Sequence, residues 1–190
     1  AIGSKIADYL IKPINPNQVL LSLKKLLENK RLVSEKTTTG YQQDFRNISM
    51  AFGDNMNYEE WAEIYNKLVF WELEMEKAEN KSMSEVLENQ KTEANTYFTR
   101  FLTENYEDWL NEPKVAKPLL SHQIMRKKVF PLMNSEVPVF FFLIDNLRLD
   151  QWKVMEPFVL ELFTSEENST YYSILPTTTA YARNAIFSGL

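Results

Sequence analysis

The spacing of apolar positions changes twice along the chain and divides it into three parts. Residues 6–12 are mostly apolar, which suits a buried strand. Pro16, a residue favoured in the first helical turn, then opens a stretch with a helical apolar spacing at Val19, Leu20, Leu23, Leu26 and Leu27. Residues 29–40 are polar and have no apolar period. They are predicted to form a hinge or linker.

The middle of the chain, from Tyr41 to about Asn111, has the pattern of a helical bundle. It contains one Gly and no Pro, and its apolar residues recur at helical spacing behind two predicted N-caps, Asn57 and Ser84. Its aromatic residues form either a core or a platform for stacking bases. Helical spacing and acidic neighbours favour the core for this set: Trp61, Phe70, Trp71, Tyr97, Phe98, Phe101, Tyr106 and Trp109.

From Pro113 onward, helical and strand-like segments alternate. The pattern predicts helices over 119–132 and 150–163, strands over 137–145 and 171–175, and a further helix starting near Thr179. Such alternation is typical of a parallel sheet covered by helices. The predicted fold is therefore two α/β fragments flanking an all-α bundle, with boundaries at 1–33, 34–112 and 113–190.

The amino-acid composition limits the kinds of site and surface that these residues can form. The 190 residues are 44% apolar, enough for a packed core, and the net charge of −5 argues against a generally basic surface for nucleic acid. With a single His, these residues cannot form a multi-histidine zinc site. The absence of Cys excludes disulfides and thiolate catalysis, and it fits a reducing cytoplasm. The longest apolar run, 137–144, is too short to span a membrane. Both ends of the sequence have the character of cuts within a larger protein.

Two polar clusters follow the predicted C-terminal strands, at the edge where parallel sheets bind ligands. Asp145 comes directly after the first strand, too early to cap the next helix, so a metal or cation partner is favoured; Asp150 fits that cap. Residues 177–179 are three Thr at the start of the last helix, where the helix dipole favours an alkoxide and phosphoryl oxygens. The alternative is a simple N-cap. The nearby Asp145 favours a metal-activated hydroxyl.

The motif PTTTAYARNAIFSGL, residues 176–190, resembles the nucleophile segment of the alkaline phosphatase superfamily, in particular its nucleotide pyrophosphatase/phosphodiesterases. FFFLIDNLRLDQW, residues 140–152, resembles the first metal-ligand strand of the PglZ branch. The resemblance implies that Asp145 is a metal ligand and that Thr179 is both nucleophile and metal ligand, with Thr178 in these roles if the register shifts by one. Arg183 is a candidate contact for the substrate anion, since Ala180–Arg183 replaces the family's Phe-Pro-Asn-His. Two Zn²⁺ ions are implied, with further ligands beyond Leu190.

The N-terminal motif GSKIADYLIKPINPNQVLLSLKKLL, residues 3–27, resembles the last strand and helix of a CheY-like receiver domain. The resemblance implies that Lys12 contacts the phosphoryl group, that Pro13 is the proline after it and that Tyr9 is the aromatic switch. A cation at a strand end suits a doubly charged acyl phosphate. The acceptor Asp and the Mg²⁺ ligands are expected before Ala1.

The three parts in this order resemble PorX-type response regulators of the type IX secretion system. This implies a cytoplasmic regulator controlled by a cognate sensor histidine kinase, a homodimer formed on phosphorylation, and secretion components or a sigma factor as partners. Its expected output is metal-dependent hydrolysis of an oligonucleotide or cyclic nucleotide. The alternative is a non-catalytic, phosphorylation-controlled adaptor. A helix-turn-helix transcription factor is disfavoured because the acidic bundle lacks the short Gly-containing turn.

Overall fold

Helices dominate the computed structural model, which describes residues 8, 10, 12, 16–52, 56–134 and 137–189. The α-helices in these ranges are α1 (Pro16–Ala51), α2 (Tyr58–Lys77), α3 (Lys81–Asn111), α4 (Leu149–Leu160) and α5 (Thr179–Ser188). Between α3 and α4 lie a 3₁₀ turn (Ser121–Gln123), a π-helical turn (Met125–Val129) and a second 3₁₀ segment (Phe130–Asn134). The chain divides into two compact units. Unit 1 comprises residues 1–55 and 70–95, and unit 2 comprises residues 56–69 and 96–190.

Unit 1 is a three-helix arrangement of α1, the end of α2 and the start of α3. Tyr41 is fully buried at its centre, where its ring packs against Trp71 at 5.7 Å and its hydroxyl donates to Gln90 Oε1 at 3.0 Å. Gln90 Nε2 in turn donates to the Phe45 carbonyl at 3.0 Å and to Ser49 Oγ at 2.9 Å. Because each of these buried polar groups has a partner, the core tolerates them without an unpaired group.

The prediction of a linker over 29–40 is wrong, since α1 runs through these residues without a break. Arg31 pairs with Glu28 and Glu35 along the helix, at 2.6 and 3.8 Å. Thr38 Oγ1 donates back to the Ser34 carbonyl at 2.8 Å, so the hydroxyl is accommodated inside a helix. Gly40 lies under Trp71, where a Cβ would be 2.9 Å from Cη2 of the indole. The first part of the segment contains good helix formers such as Lys30, Arg31 and Glu35, whereas its three Thr and Gly40 have low helix propensity. Tertiary packing under Trp71 therefore keeps the second part helical.

Of the two predicted N-caps, one is confirmed and one is wrong. Asn57 Oδ1 accepts the backbone N–H of Glu59 at 2.8 Å and of Glu60 at 3.0 Å, and the Glu60 carboxylate accepts the N–H of Asn57 at 2.7 Å. This is a reciprocal capping box. Helix α3 begins earlier than predicted: its cap is Asn80, which accepts the Met83 N–H at 3.3 Å, whereas Ser84 lies inside the first turns and bonds back to the Asn80 carbonyl.

Unit 2 is built around a cluster of aromatic rings from α2, α3 and the segment before α5. The Trp61 ring lies 5.3 Å from Phe98, and the Trp109 ring lies 5.4 Å from Tyr172. Trp61 and Trp109 are both buried. The prediction that the bundle aromatics form a core is confirmed for the three tryptophans but is wrong for Phe70 and Tyr97, which are 52% and 39% exposed. The aromatic cluster of unit 2 has these members: Tyr58, Trp61, Phe98, Phe101, Tyr106, Trp109 and Tyr172.

The predicted fold class is wrong in its two α/β fragments. Within the described ranges no strand forms. The isolated β-bridge found there is a parallel pair between Leu120 and Tyr172. Residues 137–144 are exposed and have no regular secondary structure, and residues 171–175 make only that bridge. Most of the predicted receiver-type strand lies outside the described residues; Asp8, Leu10 and Lys12 are described, and none of the three is in a strand. A strand is stabilised by a ladder of partners, and among the described residues these segments form no ladder beyond the single bridge.

The remaining C-terminal predictions concern helices. Helix α4 occupies 149–160, one residue earlier at its start and three residues earlier at its end than the predicted 150–163, and α5 begins at Thr179 as expected. The predicted helix over 119–132 is present only as the irregular 3₁₀ and π-helical turns. Asp150 lies in the first turn of α4 rather than at its cap, and the Arg148 guanidinium beside it lowers its pKa to about 2. No helix in the described ranges is both long and apolar enough to cross a membrane.

Candidate functional site

The three Thr of the sequence motif lie at the N-terminus of α5. Thr178 is the N-cap residue, with extended backbone angles, and its carbonyl accepts the N–H groups of Tyr181 and Ala182 at 3.0 and 2.9 Å. The Thr178 side chain makes no capping hydrogen bond. Thr179 is the first residue of the helix, and both side chains are exposed. Two hydroxyls therefore lie beside the positive end of a ten-residue helix, where an anion is stabilised.

Asp145 and Arg183 are brought together at this helix. Arg183 Nη1 lies 3.5 Å from Asp145 Oδ2, and both side chains are about half exposed. Asp145 occupies a turn with Asn146, whose φ of 60° is in the left-handed region that Asn tolerates. Arg183 follows Thr179 by four residues, so the two share one face of α5. An acidic and a basic group from distant parts of the sequence thus meet beside α5, about one turn after its N-terminal Thr.

The other end of α5 is fixed against the Ser121–Gln123 turn. Ala185 and Ile186 are its buried residues, and Gly189 ends the helix beside His122. A Cβ at Gly189 would lie 1.8 Å from the His122 carbonyl oxygen, so no other residue fits without moving backbone. The requirement for Gly here comes from close backbone approach, because its φ is −91° and not left-handed. Fixing the C-terminal end of a short helix also restricts its N-terminus.

Residues 172–175, which lead into the three Thr, are held by backbone and side-chain hydrogen bonds. The Tyr172 N–H donates to the Leu119 carbonyl at 2.8 Å, and the Ser121 N–H donates to the Tyr172 carbonyl at 3.2 Å. The Ile174 N–H donates to the buried Ser121 Oγ at 3.1 Å. The Tyr172 hydroxyl donates to the Tyr58 carbonyl at 2.6 Å, and burial raises the pKa of Tyr172 to about 12. Burial thus favours the neutral phenol, which is the form that donates this hydrogen bond.

A metal ion at this site would need more ligands than the described residues supply. In the described part of the chain no group of three or more His, Cys, Asp or Glu side chains is placed to hold an ion. Asp145 and Thr179 provide two oxygen donors, and Asp145 is occupied by Arg183. Since a catalytic zinc site takes three protein ligands, these residues do not fit the metal by themselves.

The receiver-type residues are only partly described. Lys12 is exposed and lies in a bend, whereas Tyr9 and Pro13 lie outside the described residues. Their roles in a phosphorylation switch stay predictions, as does the Mg²⁺ site.

Sequence reasoning missed the residues that fasten the three-Thr segment, above all Tyr106, Ser121 and Tyr172. Tyr106 Oη accepts the N–H of Leu175 at 2.7 Å. In the sequence Tyr106 is one of many bundle aromatics, and nothing in its spacing separates a core residue from one that bonds a distant loop. Ser121 follows an apolar pair and carries no motif. Only the packing of α3 beside residues 172–175 reveals these roles.

Comparison with known proteins gives two family matches. Residues 31–110 match the family described as PorX response regulator linker domain, and residues 124–190 match the family described as BREX system PglZ alkaline phosphatase-like domain. A search of curated proteins finds no match. The first match covers most of the bundle, in which the sequence offered no reliable signature. The second contains Asp145, both candidate nucleophiles and Arg183.

Proposed function

We propose that the output of this chain is hydrolysis of a phosphodiester, because residues 31–110 match a PorX response regulator linker domain and residues 124–190 match a PglZ alkaline phosphatase-like domain, which supports the PorX-type resemblance. The observation that carries this proposal is the placement of Thr178 and Thr179 at the N-terminus of α5, inside the PglZ match, with Asp145 and Arg183 beside the helix. Hydroxyl, helix N-terminus and guanidinium are the groups that phosphoryl transfer uses.

In the proposed reaction the Thr179 hydroxyl attacks phosphorus. A bond forms between Thr179 Oγ1 and phosphorus as the bond to the leaving ester oxygen breaks; the Thr179 proton passes to solvent, and the departing alkoxide takes up a proton. Water then attacks the phosphothreonine ester, which releases the phosphomonoester and regenerates the hydroxyl. The N–H groups at the start of α5 stabilise the nucleophile and the phosphoryl oxygens. Thr178 takes the same role if the register is shifted by one.

Arg183 is proposed to bind a non-bridging phosphate oxygen. A guanidinium is suited to this because its donors match a phosphate bidentately. The Asp145 pair is exposed and at 3.5 Å, so it is worth only about 0–1 kcal/mol and is readily exchanged for an anionic ligand. Asp145 would then be free to ligate a cation. Two Zn²⁺ ions remain part of the proposal on the strength of the family resemblance, and they require ligands besides Asp145 and Thr179.

Regulation is proposed to come from phosphorylation by a sensor histidine kinase, which shifts a monomer–dimer equilibrium in a cytoplasmic protein. The linker match supports a response regulator, and the exposed apolar residues along the N-terminal part of α1 offer a surface for association. The nucleotide or oligonucleotide substrate and the type IX secretion or sigma-factor partners rest on the resemblance to the PorX type.

The test is zinc content and hydrolysis of bis-p-nitrophenyl phosphate by the full-length protein. Wild type is compared with Thr179→Ala, Thr178→Ala and Asp145→Ala, with folding checked by circular dichroism. We expect zinc-dependent turnover that falls to background in Thr179→Ala and is kept in Thr178→Ala, because only one hydroxyl is in line with the ester. Loss in Thr178→Ala alone would move the nucleophile by one residue. A folded, metal-free protein without turnover on this ester or on short oligonucleotides would contradict the proposal and favour a non-catalytic adaptor.

A further inference from the structure

Two parts of the sequence that match different families meet at one hydrogen bond. Tyr106 lies on α3, in the region matched by the linker domain, and Leu175 lies in the region matched by the phosphatase-like domain. The Leu175 N–H donates to Tyr106 Oη at 2.7 Å, a short distance for such a bond. Leu175 is three residues before Thr178 and four before Thr179.

Tyr106 is itself held in place, which makes its hydroxyl a fixed point. Its ring packs edge-on against Trp109 at 6.4 Å between centroids, and Trp109 is only 2% exposed. Trp109 also packs against Phe101 and Tyr172. The phenol therefore projects from a packed aromatic cluster rather than from a solvated surface, and its position is set by several neighbours.

The residues just before Leu175 bond to residues 119–121, whereas the Leu175 N–H bonds to Tyr106. The backbone of Tyr172 and the N–H of Ile174 bond to residues 119–121. Pro176 has no N–H to donate, so the backbone between Leu175 and the cap at Thr178 has fewer anchoring groups than an ordinary segment. The Tyr106 bond thus joins the linker region to a residue three positions before the Thr178 cap.

We propose that Tyr106 is a positioning residue, through which the linker region sets the backbone of Leu175 and so the place of the candidate nucleophile at the start of α5. The inference rests on the proposed hydrolysis. Its physical basis is that the reacting oxygen must be held close to its productive position, and a displacement of about 1 Å can cost about a hundredfold in rate. Movement of α3 would thereby alter turnover without touching the substrate.

The experiment compares Tyr106→Phe with Tyr65→Phe in the full-length protein. Tyr106→Phe keeps the ring that packs on Trp109 and removes only the acceptor oxygen, and Tyr65 on α2 is an exposed tyrosine that serves as the matched control. We expect kcat for bis-p-nitrophenyl phosphate to fall about tenfold in Tyr106→Phe with KM changed by less than about twofold, because positioning is lost and binding is not. Tyr65→Phe should match the wild type.

Hydrogen–deuterium exchange of the peptides that cover residues 172–182 provides a second readout, independent of turnover. In Tyr106→Phe we expect faster exchange at Leu175 that extends to Tyr181 and Ala182, whose N–H groups bond to the Thr178 carbonyl, with the melting temperature equal to that of Tyr65→Phe. Unchanged kcat, or faster exchange confined to Leu175, would overturn the inference. If the wild type shows no turnover, the proposed hydrolysis fails on its own, and the spread of exchange to Tyr181 and Ala182 alone decides whether Tyr106 positions the start of α5.

Discussion

Leu87 in unit 1 is 1% exposed, whereas Phe142 in the extended segment 137–144 of unit 2 is 82% exposed. Both are large apolar residues in stretches of strong apolar pattern. The difference is in how each stretch satisfies its backbone. Helix α3 closes its hydrogen bonds within itself and needs only one packed face, while an extended segment must find a second strand before it can bury either face. Within the described residues the 137–144 segment has no such strand.

The comparison teaches which apolar patterns fold locally. In unit 1, α1, α2 and α3 each form from their own residues, and their buried faces then meet around Tyr41, Trp71 and Gln90. In the C-terminal part, α4 and α5 form close to where they were predicted, but the strand-like segments that precede them do not pair into a sheet within the described residues. Helices form here because their hydrogen bonds join residues four apart, whereas a strand needs hydrogen bonds to a distant part of the chain.

The largest expected effect is the loss of unfolding free energy when a large apolar side chain is truncated, which should differ strongly between the two regions. Leu87→Ala should destabilise unit 1 by about 3 kcal/mol, because it removes a fully buried side chain and leaves a cavity. Phe142→Ala should change stability by less than about 0.5 kcal/mol, because the ring is largely solvated. Urea denaturation followed by circular dichroism measures both. A large loss in Phe142→Ala would mean that this segment is buried in the folded protein.

The second effect concerns the buried polar centre of unit 1. Gln90→Leu should cost about 2 kcal/mol, because it leaves the Tyr41 hydroxyl buried without its acceptor. Adding Tyr41→Phe should recover part of the loss, since no unpaired hydroxyl then remains. A double-mutant cycle by urea denaturation gives the coupling. Additive losses would show that the 3.0 Å bond is not a stabilising one.

The third effect compares the caps of the two regions. Asn57→Ala should cost about 1 kcal/mol, because Asn57 Oδ1 satisfies two N–H groups of α2. Thr178→Ala should cost less than about 0.5 kcal/mol, because its side chain makes no cap bond in α5. Thermal unfolding of each variant tests the pair. Equal losses would assign the Thr178 hydroxyl a structural cap and weaken its candidacy as a nucleophile.

The smallest effect is a shared response to alkaline pH. Burial raises the pKa of Tyr41 in unit 1 and of Tyr172 in unit 2 to about 12, from an ordinary value of 10.0. The unfolded chain therefore loses these protons first, so stability is fully present below about pH 10 and falls as the pH rises toward about 12. Melting temperatures across this range should fall less steeply in Tyr41→Phe and in Tyr172→Phe than in wild type.

Tyr65→Phe is the control for the pH series, because this exposed tyrosine should leave the alkaline loss unchanged. A Tyr172→Phe variant with the same pH dependence as wild type would contradict the assigned cause.

Several parts of the fold and site were predictable because their signals are local. Asn57 with Glu60 three residues later indicates a capping box, and the apolar spacing behind Thr179 indicates α5; both are present. The prediction of a linker over residues 29–40 is wrong because polar residues occur in exposed helices as well as in loops. Arg31 pairs with Glu28 along α1, and Gly40 packs under Trp71. The prediction of a sheet is wrong because an apolar pattern shows only that a segment can form a strand and does not show which strand it pairs with.

The amino-acid sequence determined the helices of the bundle, the start of α5 and the motifs that point to a response regulator with a phosphatase-like domain, because caps, periodicity and motifs are short-range properties. Tertiary structure alone decided that Asp145 meets Arg183, that Gly189 must admit the His122 carbonyl and that Tyr106 bonds Leu175. Each of these contacts joins residues far apart in the chain. Their geometry depends on how whole elements pack, which no local pattern encodes.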